Sequence, residues 1–232
     1  EPCLSWFQDP TVGSVAPLVL QMDRPDTIDS AGMDYHLCGW AYNRGLNRKV
    51  VAAYERPCEV FGPSGAAGFY RRTALRHTGL LATEFGAYFE DTDLAFRLRW
   101  AGFRCMYEPR ARVLHHGSAT YGQESDRVTR LISRNEELVF WMNLPFPKLL
   151  AGLVPHAGFL AIRLWRKLFT PKLGPFLEGK QQALALWRTI LRRRQQLRAL
   201  PVGHETSVNL YLSHSPAVLG RGYDWLRRRR CA

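Results

Sequence analysis

Long hydrophobic runs are missing from this 232-residue chain. The uncharged stretch from Leu149 to Ile162 holds only 14 residues and contains Pro155. A bilayer-spanning helix needs about 20 apolar residues, so this stretch is expected to lie in an interface or to pack on a neighbouring part of the chain. Closely spaced cysteines are missing too. Cys3, Cys38, Cys58, Cys105 and Cys231 are odd in number and far apart, which excludes the usual zinc and redox spacings and fits a reducing cytoplasm. Cys105, inside an apolar stretch, reads as core. Acidic residues nearly vanish after residue 145: residues 146–232 carry 16 Lys and Arg against 3 Asp and Glu, a net of +13. Residues 1–145 carry 16 against 17, a net of −1, so the whole basic excess of +12 belongs to the C-terminal region.

That region also has apolar periodicity. Leu184, Trp187 and Leu191 are spaced as one face of a helix whose other positions include Arg188, Arg192, Arg193 and Arg198. A basic amphipathic helix carrying a Trp has the composition expected at an anionic membrane surface, with a solvated charged helix as the plain alternative. The runs Arg192-Arg193-Arg194 and Arg227-Arg228-Arg229-Arg230 could neutralise phosphates, but no nucleic-acid-binding fold accompanies them. An anionic membrane surface is therefore the expected partner, and nucleic acid is not.

The chemistry concentrates in Glu90-Asp91-Thr92-Asp93, three carboxylates directly ahead of a helical pattern. Leu94, Leu98 and Ala101 recur at helical spacing, Arg97 and Arg99 take the other side, and Gly102 stops the helix. At a helix N-terminus the free N–H groups and the dipole favour an ionised carboxylate, so Asp91 is expected to be charged at neutral pH. Such a group can cap the helix, bind a metal or accept a proton. Val12 to Leu20 reads as a buried strand, and Asp23 to Arg48, polar and rich in turn residues, as a long surface loop. Within that loop, Trp40 and Tyr42 either stack on a sugar ring or cover the sheet, the latter being preferred. Val50 to Tyr54 and Glu59 to Phe61 resume strand character. The small-residue turn Gly62 to Gly68 follows, where a backbone can approach a ligand closely, then a short helix from Arg72 to His77 ended by Gly79. Two strands, Phe103 to Tyr107 and Ala111 to Leu114, lead to His115 and His116. The order of carboxylates, helix, strand and His lets an α/β fold bring Asp91 and His115 to one sheet edge.

From about residue 12 to residue 145 the chain resembles family-2 glycosyltransferases of the GT-A fold, in particular the rhamnosyltransferase-like branch that builds bacterial cell-surface polysaccharide. The resemblance is carried by Val12-Gly13-Ser14-Val15-Ala16-Pro17, Ile28-Asp29-Ser30-Ala31-Gly32, the small-residue turn before Arg71-Arg72, and Glu90-Asp91-Thr92-Asp93-Leu94. The Gly102-Phe103 turn, His115, and Arg134-Asn135 ahead of Asn143-Leu144-Pro145 complete it. It implies an α/β fold: residues 1–145 as the acceptor-side half of a GT-A domain, and 146–232 as a basic, amphipathic helical C-terminal region. In the family a nucleotide-binding half with an Asp-x-Asp metal motif precedes this part, so the chain is expected to be an incomplete piece, inactive alone.

The resemblance also assigns roles. Asp91 matches the general base of inverting members. Glu90 and Asp93, with Gly65 and Ala66, would hold the acceptor or the helix start. His115 matches a ligand that completes the metal site with the Asp-x-Asp, for Mn²⁺ or Mg²⁺, imidazole mildly favouring Mn²⁺. His116 is read as a strand-end residue bonded to backbone. Arg134 matches an Arg that meets the diphosphate, a surface ion pair with Glu136 or Glu137 being the alternative. The implied function is inverting transfer from a nucleotide-sugar donor to a glycan or lipid-linked acceptor, peripherally on the cytoplasmic face of a membrane. A noncatalytic membrane- or glycan-binding module is the alternative. Two positions depart from the family pattern: Leu81-Ala82 replace a common Phe-Asp, and Met142 stands where Lys is frequent.

Overall fold

A computed structural model describes residues 1–117, 125–200, 208 and 212. The chain enters through α1 (Pro2–Ser5) and a 3-10 turn into β1 (Val12–Gln21), then passes through β2 (Ile28–Ser30), β3 (Met33–Tyr35) and β4 (Ala41–Asn43). After β5 (Cys58–Val60) and β6 (Phe69–Tyr70) come α2 (Arg72–Thr78), α3 (Glu90–Trp100) and β7 (Arg104–His115). Four helices follow: α4 (Asp126–Asn143), α5 (Phe146–Leu168), α6 (Leu173–Ala185) and α7 (Trp187–Arg198). The result is a mixed α/β fold.

β1 is the central strand because nine of its ten residues are buried, as its near-continuous apolar sequence anticipates. It runs parallel to β7 from Val12 opposite Arg104 to Gln21 opposite His115. β5 lies antiparallel on the far side of β7, β2 and β6 pair antiparallel with β1, and β3 and β4 form a separate hairpin. The β1–β7 register breaks between Pro17, opposite Glu108, and Leu18, opposite Arg112. Pro17 has no N–H for the ladder, and Pro109 stands in the extra residues of β7, so a bulge there is the expected consequence.

Several expectations are corrected. The segment read as a surface loop, Asp23 to Arg48, holds three strands, and most of residues 27–39 are buried. Ile28, Ala31, Met33, Tyr35, Leu37 and Cys38 supply the apolar face, while local bonds such as Ser30 Oγ to Gly32 O satisfy the polar residues between them. Counting turn residues concealed this, because Gly32, Gly39 and Gly45 make left-handed turns between short buried strands. Val50 to Tyr54 is no strand but ends in a 3-10 turn, Ala52–Tyr54. Leu184, Trp187 and Leu191 do not share one helix, because the chain breaks at Leu186 between α6 and α7.

The largest difference concerns α3. Arg97 and Arg99, expected on a polar face, are both buried, as is every residue of α3 from Thr92 to Trp100. A buried guanidinium is tolerated only when its fork is fully used. Arg97 donates to Asp93 and to the carbonyls of Thr78, Gly79 and Leu80; Arg99 donates to Glu59 and to the carbonyls of Val60 and Phe61.

Behind α3, one apolar cluster joins Phe61, Phe85, Phe96 and Leu138 with Ala183, Ile190 and Leu197, and α4 packs against α6 and α7. α5 turns only Leu149, Gly152 and His156 inward. A Cβ on Gly152 would come within 2.9 Å of the Leu37 carbonyl, so the helix backbone rests directly on the buried 33–39 segment. His156 stacks on Phe140 and pairs with Glu137. Burial alone would raise Glu137, but His156 and Lys180 outweigh it and hold its carboxyl at about 2. Cys3, Cys38, Cys58 and Cys105 are all buried; Cys231 and Arg227–Arg230 lie outside the described residues.

Candidate active site

The carboxylate run opens α3, but Asp91 does not cap it. The N-cap position belongs to Phe89, and Asp93 N–H donates to its carbonyl at 2.9 Å. Asp91 is the second helical residue, and its Oδ2 reaches across to accept from Gly65 N–H at 2.7 Å. Its Oδ1 accepts from Thr92 N–H at 2.6 Å and from the Thr92 hydroxyl at 3.2 Å. A Cβ on Gly65 would lie 3.2 Å from Asp91 Oδ2, so the small-residue turn permits this approach.

Burial raises the Asp91 carboxyl above the ordinary aspartate range, against the downward pull of its bonds from Gly65 and Thr92. The plain expectation of a charged helix-start carboxylate omitted this desolvation. Glu90 is also raised by burial, with repulsion from Asp91 adding to it, and its Oε2 has no hydrogen-bond partner. Tyr70 faces the pair: burial first, and then the Asp91 charge, keep its hydroxyl protonated. A carboxyl of raised proton affinity and a second carboxylate with a spare acceptor therefore lie together beside the Gly65 turn. Such a group can take a proton from a bound hydroxyl.

The approach to α3 is strained. Tyr88 (φ 67°) and Phe89 (φ 70°) both sit in the left-handed region, which costs a non-glycine residue about 1–2 kcal/mol each. Asn135 on α4 holds this stretch: its Nδ2 contacts the carbonyls of Phe85, Ala87 and Tyr88 at 3.0, 2.8 and 2.7 Å.

No protein-family model matches the chain. A 70-residue stretch is 39% identical to N-acetylglucosaminyl-diphospho-decaprenol L-rhamnosyltransferase of Mycobacterium tuberculosis, in strains CDC 1551 / Oshkosh and ATCC 25618 / H37Rv alike. Over that stretch the chain is glycosyltransferase-like. The match spans 30% of this chain and 22% of the length of either relative.

In this glycosyltransferase-like chain the expected site residues fall into two groups. Asp91, Glu90 and Gly65 come together, with Ala66 next in the turn and bonded to Ser64 Oγ. Asp93 points away into the interior, where it accepts from Arg97 Nε at 2.8 Å and Asn143 Nδ2 at 3.1 Å and so supports the helix start. Arg134 makes neither of the surface ion pairs that were the alternative to a diphosphate role: its Nη2 donates to the carbonyls of Glu84 and Phe85 and its Nε to Asn135 Oδ1. Glu136 and Glu137 pair instead with Arg163, Lys180 and His156.

His115 ends β7 with Nδ1 2.9 Å from Asp29 Oδ2, and no bond joins it to the Asp91 cluster. Among the described residues no three His, Cys, Asp or Glu side chains gather as a metal site. His116 is exposed. Trp40 and Tyr42 pack on each other, ring centroids 4.7 Å apart, each half-buried.

Sequence reasoning missed Tyr70 and the role of Asn135. The second had a signal: a polar residue among Leu138, Val139 and Met142 on the buried face of α4 asks for a buried partner.

Proposed function

We propose that this chain carries the acceptor side of an inverting family-2 glycosyltransferase of cell-surface polysaccharide synthesis, moving a sugar from a nucleotide-sugar donor to a glycan or lipid-linked acceptor. The observation that supports it best is the Asp91 carboxyl, anchored on Gly65 N–H with raised proton affinity, beside the unpartnered Oε2 of Glu90. The acceptor oxygen attacks the anomeric carbon while its proton passes to Asp91. The bond from that carbon to the donor phosphate breaks on the opposite face, the electron pair leaving with the nucleoside diphosphate, so configuration inverts. Glu90, Gly65 and Ala66 hold the acceptor hydroxyls, and Asp93 holds the helix start. Arg134 is the guanidinium nearest to this role for the diphosphate, once its loop carbonyls release it. His115 is the side chain this chain would lend to a Mn²⁺ or Mg²⁺ site.

The relatives' name gives the first pair to test, an L-rhamnosyl donor and a polyprenyl-diphosphate-linked N-acetylglucosamine. Labelled nucleotide-rhamnose is incubated with that lipid and the protein, with and without upstream sequence. Label entering the lipid fraction is expected when the donor half is present. No transfer in either case sinks the reading.

We further propose that the C-terminal helices hold the protein peripherally on the cytoplasmic face of an anionic membrane. No described helix is long and apolar enough to cross a bilayer. Val154 (82% exposed), Trp165 (67%) and Phe169 (80%) form exposed apolar surface, joined by Leu184, Trp187 and Leu191. Residues 146–200 hold 11 Lys and Arg against one acid, Glu178. Each basic residue near the surface is worth about 1 kcal/mol toward anionic lipid, and the aromatic groups add insertion. In vesicle flotation, binding is expected to rise with anionic lipid and fall with salt, since screening acts over about 8 Å at physiological ionic strength. Trp165→Ala with Phe169→Ala should weaken binding at every salt concentration. Binding indifferent to lipid charge argues against this placement.

A further inference from the structure

We propose that Asn135 is the positioning residue of the acid cluster, the side chain that holds Tyr88 and Phe89 left-handed so that Asp91 meets Gly65. The inference rests on the reading of Asp91 and Glu90 as the reactive pair. Two consecutive left-handed residues with side chains persist only where their surroundings over-determine them. Neither is glycine, and no side chain caps the helix they start. Hydrogen bonds that hold this stretch come from another element. Asn135, fully buried on α4, brings its two amide hydrogens to three carbonyls of residues 85–88, and Arg134 secures the amide orientation by donating to its Oδ1 at 2.8 Å. Arg134 Nη2 holds the preceding carbonyls of Glu84 and Phe85.

The geometry gives these contacts a consequence at the site. The last carbonyl held by Asn135 belongs to Tyr88, the next residue accepts the first helical bond of α3, and Asp91 follows two residues later. Releasing the amide frees Tyr88 and Phe89 to relax out of the left-handed region. The first turn of α3 then rotates, and Asp91 Oδ2 leaves the Gly65 amide. Asn135 Nδ2 bonds to loop carbonyls and not to Asp91 or Glu90, so it acts through the loop.

Native-state hydrogen exchange on the protein tests this without any turnover. In Asn135→Ala, the amides of Gly65 and Asp93 should exchange about tenfold faster or more, while those of the buried strand β1 keep their protection. A merely structural role for Asn135 would accelerate all of these amides together, and that result, like no change at Gly65, overturns the proposal. Asn135→Ser, which keeps one donor, is measured beside it and decides by the same comparison if the alanine variant does not fold. Adding Tyr88→Gly to Asn135→Ala makes the left-handed backbone cheap and should return protection to Gly65; failure to do so also overturns it. Since nothing is transferred in this experiment, its failure is separable from failure of the sugar-transfer reading.

Discussion

Asp91→Asn is expected to lower sugar transfer by about 10²–10⁴-fold, the usual cost of losing a general base, while nucleotide affinity stays close to wild type. The asparagine keeps one acceptor oxygen, enough for the Gly65 donor or the Thr92 donors but not for both, and it cannot take the acceptor proton. Stability carries two opposing contributions. A carboxyl whose folded pKa is raised binds its proton more tightly in the folded state, so its charge weakens the fold. That penalty is absent below the unfolded aspartate pKa, grows as pH rises between the two values, and is complete above the folded one. Asparagine carries no such charge, and this gain offsets the hydrogen bond lost where its NH2 replaces an accepting oxygen, so the variant should melt close to wild type at neutral pH. The wild-type rate should fall on the acid side through a pKa above the ordinary aspartate range, and the variant should lose that limb. Transfer assays across pH, nucleotide titration and thermal melting of the same two proteins check all three outcomes. Near-normal turnover would remove Asp91 from the chemistry.

Arg97→Ala should produce the largest loss of stability, about 3–5 kcal/mol, because it strands Asp93 as a buried charge. The pair is nearly inaccessible, with side-chain exposures of 5% and 2%. Arg97 also closes the C-terminal end of α2, donating to Thr78 O at 2.6 Å, Gly79 O at 3.1 Å and Leu80 O at 2.8 Å, where a cation also meets the negative end of the helix dipole. Arg97→Lys should not rescue it, since one ammonium cannot serve a carboxylate and three carbonyls in this fork geometry. Combining Arg97→Met with Asp93→Leu should recover much of the loss, because the stranded charge is then gone. Urea midpoints of the four proteins measure the effect. An Arg97→Ala midpoint near that of wild type would show that water reaches Asp93.

Much of the frame was legible locally. Val12 to Leu20 is too continuously apolar to be anything but a buried strand, the helix start at Glu90 follows from the acidic first turn and its stop at Gly102 from the glycine rule, and Gly79 ends α2 as expected. Other parts were concealed because the signals used were local and the causes were not. Asp23 to Arg48 looks like a loop by turn residues, yet its short strands are buried by contact with β1 and with the turn at Phe61 and Gly62. Arg97 and Arg99 look like a solvated face, because no local pattern shows the carbonyls of residues 60, 61 and 78–80 that receive them.

The sequence by itself determined the division of charge at residue 145, the absence of a membrane-spanning run, and the placing of three carboxylates in the first turn of one helix. These depend on composition and on neighbours a few residues apart. Only the tertiary structure decided which carboxylate reaches the Gly65 turn and which is turned into the interior. Asp91 meets Gly65 across 26 positions of chain, Asp93 meets Asn143 across 50, and Asn135 reaches back 47 to 50 positions to hold the strained entry to the helix. Proton affinity follows from desolvation and from the donors that remain once water is excluded, and both are set by which distant segments pack around the group.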